Sequence, residues 1–82
     1  MPTLIMFRSL TYAQRASRSL QRYGIPNNIT KAPQGTTDRG CTYCVRVSDE
    51  RLYSALNALQ RDGIEHGRIL RLNNGEYREV SL

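Results

Sequence analysis

The residues best suited to chemistry in this 82-residue chain are two cysteines three positions apart, Cys41 and Cys44. Their Cys-Thr-Tyr-Cys spelling fits a redox pair or half of a metal site. Three residues of extended chain span about 10 Å, whereas disulfide-bonded Cα atoms lie roughly 4.4–6.8 Å apart. The two sulfurs therefore meet only if Cys41 sits in a loop and the strand begins after it. The preceding stretch, Pro33 to Gly40, is long enough to permit this. A zinc site takes about four ligands, and beside the two cysteines the chain offers one histidine, His66, so no metal is expected. There is no Cys-His-acid set and no glycine-rich phosphate loop, which argues against a conventional enzyme and against a cofactor. Ser9 and Thr11 read as helix caps rather than nucleophiles.

Two copies of one unit must position these residues. Ser19 to Ile25 lines up with Ala58 to Ile64 at an offset of 39 residues, and the same offset lays Thr3 to Ser9 over Thr42 to Ser48. Each copy reads strand, helix, glycine turn, strand. In the first helix Leu10, Ala13, Ala16 or Ser17, and Leu20 share a face, opposite Arg15, Arg18 and Arg22. In the second, Leu52, Ala55, Leu56 and Leu59 keep the same spacing. Ser48, Asp49 and Glu50 predict its N-cap and acidic first turn. Gly24 and Gly63 stand where a left-handed residue stops each helix. Strands are expected at Thr3–Arg8, Asn28–Ala32, Thr42–Val47 and Arg68–Leu72. Right-handed crossovers then give an α+β fold, the split βαβ or ferredoxin-like two-layer sandwich, with antiparallel sheet order 4-1-3-2. Asn73-Asn74-Gly75 is a turn signal, and residues 72–82 are either an extra edge strand or a loose tail.

That topology treats the two thiols differently. The end of the first strand, Arg8 and Ser9, lies beside the start of the third, Gly40 and Cys41. The first helix begins at the same edge, so its free N–H groups point there. Lys31 and Arg39 border the same loop. Each feature favours a thiolate, which makes Cys41 the candidate reactive residue. Within the strand, Tyr43, Val45 and Val47 should face the helices, leaving Thr42, Cys44 and Arg46 on the other face. Cys44 is then a small filler there or a second thiol.

Size and charge set the remaining bounds. The length fits one domain over residues 1–82, small enough to gain from a homodimer. The longest apolar run, Leu4 to Phe7, is far too short to span a membrane, and no signal peptide precedes it. A cytoplasmic location follows as the expectation. Residues 1–47 hold seven bases against Asp38 alone, while residues 48–82 hold five bases and six acids. A basic half suits an anionic partner, whether acidic protein or nucleic acid. The nucleic-acid reading ranks second. Its stacking candidates are Phe7 and Tyr43, and the RNA-recognition signature is missing.

The order of these features resembles a known family. A first strand at Leu4–Arg8, a Ser/Thr-led helix, Gly24-Ile25-Pro26, a loop with Pro33, then Cys41 opening a strand that ends Val45-Arg46-Val47 is similar to the small bacterial selenium/sulfur carrier-like proteins. The resemblance runs from about Thr3 to Leu72. In that family a cysteine followed by glycine opens the third strand. Cys41 matches the cysteine, while Thr42 replaces the glycine. The resemblance implies persulfide or selenopersulfide chemistry on Cys41, with a donor such as a cysteine desulfurase and an acceptor protein.

Overall fold

The computed structural model describes residues 2–33 and 42–80. Along the chain run β1 (Pro2–Phe7), α1 (Leu10–Arg22), β2 (Asn28–Lys31), β3 (Tyr43–Ser48), a 3₁₀ turn (Asp49–Arg51), α2 (Leu52–Arg61), β4 (Ile69–Asn73) and β5 (Glu76–Glu79). The strands form one antiparallel sheet in the order β2-β3-β1-β4-β5. The sequence led us to expect four strands in the order 4-1-3-2 with the tail as either an extra edge strand or loose, and the sheet has five in the order 2-3-1-4-5.

The added strand is the tail beyond Leu72. Asn74 and Gly75 both take positive φ, 52° and 80°, the pairing that a two-residue hairpin turn demands. Leu72 then faces Tyr77, and Asn73 faces Glu76.

Alternation along each strand decides what lies on either face. Ile5 and Phe7 of β1 and Val45 and Val47 of β3 join Ala13, Ala16 and Leu20 of α1 and Leu52, Ala55 and Leu59 of α2 in the main core. Leu4, Met6, Cys44 and Leu70 point the other way and form a second small cluster, with Ala32 and Tyr77 packed against it. The repeat is thus in register through the helices but not through the strands. Ile5 and Cys44, which are 39 residues apart, lie on opposite faces. A slip of one residue inverts a strand's faces, so structural equivalence in the strands runs one residue longer than the sequence alignment suggests.

The helix ends agree with the sequence except at one cap. Ile25 N–H donates to Leu20 O and Gly24 N–H to Gln21 O, and Ile64 and Gly63 repeat the pattern onto Leu59 and Gln60. These are Schellman closures whose outer apolar residue is buried. At the start of α2, however, Ser48 makes no side-chain capping bond. The Asp49 carboxylate, expected to serve that helix end, turns instead toward β1 and β4. It accepts from Thr3 Oγ1 at 2.9 Å and from Arg71 Nε at 2.8 Å. Thr3 is fully buried, so its hydroxyl needs that acceptor more than the helix needs a cap.

Candidate functional site

β1 ends, α1 starts and β3 begins at one edge of the sheet. Phe7 pairs with Tyr43 in the β1–β3 ladder, and Lys31 pairs with Tyr43 from the other side. Ala32 N–H donates to Thr42 O at 2.9 Å, which extends the β2–β3 ladder by one step. Cys41 is joined directly to Thr42. Cys41 itself, with Arg39 and Gly40, lies outside the described residues, so those three expectations rest on the sequence.

The described members of the predicted site fall as follows. Ser9 is the N-cap of α1: its Oγ accepts from Tyr12 N–H at 3.3 Å, and its carbonyl accepts from Ala13 N–H at 3.1 Å. The N–H groups of Leu10 and Thr11 have no carbonyl within the helix to meet. Arg8 lies with its guanidinium carbon 5.1 Å from the centre of the Tyr12 ring and its Nη2 4.0 Å from Glu65 Oε2. Lys31 is exposed at the end of β2, two strands from β1, which corresponds to about 10 Å across the sheet. Arg8 and Ser9 thus follow β1 at the end of the sheet where β3 begins, and Lys31 lies two strands away.

Cys44 is in a different environment. It pairs with Met6 on one side and Thr30 on the other, has no exposed surface, and is a free thiol. Its Sγ–H lies 3.6 Å from Thr30 O and 3.8 Å from Lys31 O. Burial pushes the thiol up to about 11. At neutral pH the thiol therefore stays protonated and is a poor nucleophile.

His66 is exposed, with Nδ1 2.8 Å from the Gly67 carbonyl. Gly67 N–H donates to Met6 O at 2.7 Å, bringing this segment to the same sheet edge. Among the described residues no cluster of three His, Cys, Asp or Glu side chains is able to hold a metal. Among them, too, no helix is long and apolar enough to cross a membrane.

Two carboxylates organise the fold in ways that sequence reasoning missed. Asp49 is one, held below the ordinary carboxylate range first by the Thr3 hydrogen bond and then by Arg71. Asp62 is the other. It accepts from Ser19 Oγ at 2.5 Å, from an Arg22 Nη and from Tyr23 OH at 3.2 Å, and these donors, Ser19 foremost, hold it low. Through Asp62 the C-terminal ends of α1 and α2 meet. The one hint in the sequence was that Asp62 stands where the repeat has Tyr23.

Searches of the curated proteins and of the solved structures return no match. A family model does match, over residues 3–71, from β1 into β4 and across the loop that bears Cys41, leaving β5 outside. By that match, the chain belongs to the family described as "Putative Se/S carrier protein-like".

Proposed function

We propose that this protein carries sulfur or selenium on Cys41, as a persulfide or selenopersulfide, within a ferredoxin-like split βαβ domain working in the cytoplasm. The observation behind this reading is the burial of Cys44. With that thiol pushed up to about 11, Cys41 is the only other cysteine in the chain and the one left to supply a thiolate near neutral pH. Arg8, Lys31 and the Leu10 and Thr11 N–H groups lie toward the end of the sheet where β3 begins at Tyr43, two residues after Cys41 in sequence, and positive charge there favours a negative sulfur. Arg39, two residues before Cys41, adds a further charge.

The transfer needs no external oxidant. The Cys41 thiolate attacks the terminal sulfur of a persulfide on a donor such as a cysteine desulfurase. A new S–S bond forms while the donor's S–S bond breaks, and the donor leaves as a thiolate. An acceptor nucleophile then takes the terminal sulfur, and Cys41 departs as the thiolate it began as. Selenium would follow the same path.

The nucleic-acid alternative gains nothing from the sheet. Phe7 is buried beneath the helices and Tyr43 packs against the same core, so neither presents a face to a base.

Incubation with a desulfurase and free cysteine should add the mass of one sulfur to wild type and to Cys44→Ala, removable by dithiothreitol, and none to Cys41→Ser. Loading of Cys41→Ser to the wild-type level, or no loading of wild type by the enzyme or by polysulfide, would defeat the reading.

A further inference from the structure

No acid occurs before Asp38, and residues 2–33 carry five bases. Four of these are arginines. Arg15, Arg18 and Arg22 fall along one stripe of α1, and Arg8 stands just ahead of the helix, before its extended N-cap Ser9. From Arg15 to Arg18 to Arg22 the axial steps are about 4.5 and 6 Å. Arg8 lies at the sheet edge described above, because it directly follows the Phe7–Tyr43 pair.

Several features show that the fold itself does not call for Arg15 and Arg18. α1 has no acid in its first turn and none within its length, so its arginines repel at i, i+3 and i, i+4. Arg15 and Arg18 are exposed and have no ion-pair partner among the described residues. Arg8 and Arg15 are held close together instead, with their guanidinium carbons 5.1 and 5.8 Å from the Tyr12 ring centre. Arg8 and Arg22 have carboxylates beside them, Glu65 and Asp62, whereas the charges of Arg15 and Arg18 between them are left for an anion from outside.

We propose that the helical row Arg15, Arg18 and Arg22, with Arg8 ahead of it, docks an acidic helix of a protein partner beside the end of the sheet where β1 stops and β3 begins. This rests on the carrier reading only in naming the partner as the protein that loads or unloads the thiol. Carboxylates at i, i+3 and i+7 of a second helix recur at the same pitch as the arginines, so each guanidinium meets one carboxylate, with bidentate geometry available. Nucleic acid fits less well because the row lacks a free ring for base stacking. Tyr12 is occupied by two guanidiniums, and Tyr23 is bonded to Asp62. The most exposed aromatic, Tyr53, belongs to α2.

The test uses the full chain as Cys41→Ser, so that thiol chemistry cannot interfere. The probes are a labelled helical peptide with glutamates at i, i+3, i+7 and i+10, a peptide of the same composition with its glutamates spread around the helix, and a mixed-sequence single-stranded RNA. The striped peptide should bind, and the spread peptide several-fold more weakly. Arg15→Glu/Arg18→Glu should weaken the striped peptide by at least about ten-fold. The neutral pair Arg15→Gln/Arg18→Gln should weaken it less, and Arg51→Glu/Arg61→Glu, at the two ends of α2, should leave binding as it was. Both α1 positions are exposed, and unchanged circular dichroism would show that the variants fold. Failure of the striped peptide to bind, equal binding of the two peptides, equal loss from the α2 variant, or tighter binding of RNA through the same arginines would each overturn the proposal. Persulfide loading by polysulfide on a Cys41-intact Arg15→Glu/Arg18→Glu chain should stay normal. A failed docking and a failed carrier reading are therefore separable.

Discussion

α1 and α2 hold equivalent places in the repeat, yet only their inward faces match. Ala13, Ala16 and Leu20 correspond to Leu52, Ala55 and Leu59, and all six are fully buried. Gly24 and Gly63 close the two helices at φ 73° and 66°, each followed by a buried isoleucine. Outward, Arg15 and Arg18 of α1 stand where α2 has Ser54 and Asn57. The packing layer holds both helices to one pattern, while their solvent faces have diverged. A helix in this position therefore folds without the α1 charges, which is why those charges read as a surface for something else.

The largest expected effect tests the shared inner layer. Leu20→Ala and Leu59→Ala should each cost about 2–5 kcal/mol, because each opens a cavity in a closed core. Urea unfolding of the two variants should give similar losses, and a nearly neutral Leu20→Ala would deny the equivalence.

A smaller contrast separates the helix starts. Asp49 corresponds to Leu10, yet Asp49 holds Thr3 and Arg71, whereas Leu10 is 41% exposed. Asp49→Ala strands a buried hydroxyl and should cost about 1–2 kcal/mol. Leu10→Ala should stay within about 0.5 kcal/mol, as exposed positions do.

Acid should expose the same asymmetry. Folding lowers the pKa of both Asp49 and Asp62, so the unfolded chain binds protons more readily than the folded one. The stability they add is fully present above the unfolded value of about 3.9 and is lost as pH falls through the folded values. Thermal midpoints should therefore drop steeply below about pH 4 in wild type, and less steeply in Asp49→Asn.

The smallest effect concerns the solvent faces. Arg18→Gln removes repulsion with Arg15 and Arg22 and should stabilise by about 0.2–0.5 kcal/mol, while Asn57→Arg should destabilise α2 by a similar amount. Thermal melts at low salt would show both, and raised salt should shrink the difference.

Much of this was legible in the sequence because period and punctuation are local. The spacing of Leu52, Ala55 and Leu59, the glycine stops and the alternation of Val45 and Val47 around Cys44 each depend on a few neighbouring residues. What escaped was long-range. Nothing near Asp62 announces that Ser19, Arg22 and Tyr23 will converge on it from 39 to 43 residues away. Nothing near Asp49 shows that a buried threonine 46 residues earlier will draw it off its helix. The strand phase was hidden for a related reason. An alignment of similar residues does not count the single position that decides which face a side chain takes. At the candidate site, Ser9 as a cap and Cys44 as a filler on the helix-free face could be read directly. The stacking of Arg8 and Arg15 on Tyr12 could not, because it depends on how the chain enters α1.

The division of labour between the two thiols is the central claim, and pH-dependent alkylation of the native chain, with both cysteines followed by mass spectrometry, tests it most directly. Cys41 should react with a midpoint below the ordinary thiol value of about 8.5, and Cys44 should stay protected until the protein unfolds. If Cys44 reacts first, or Cys41 titrates at or above that ordinary value, Cys41 is not the carrier thiol.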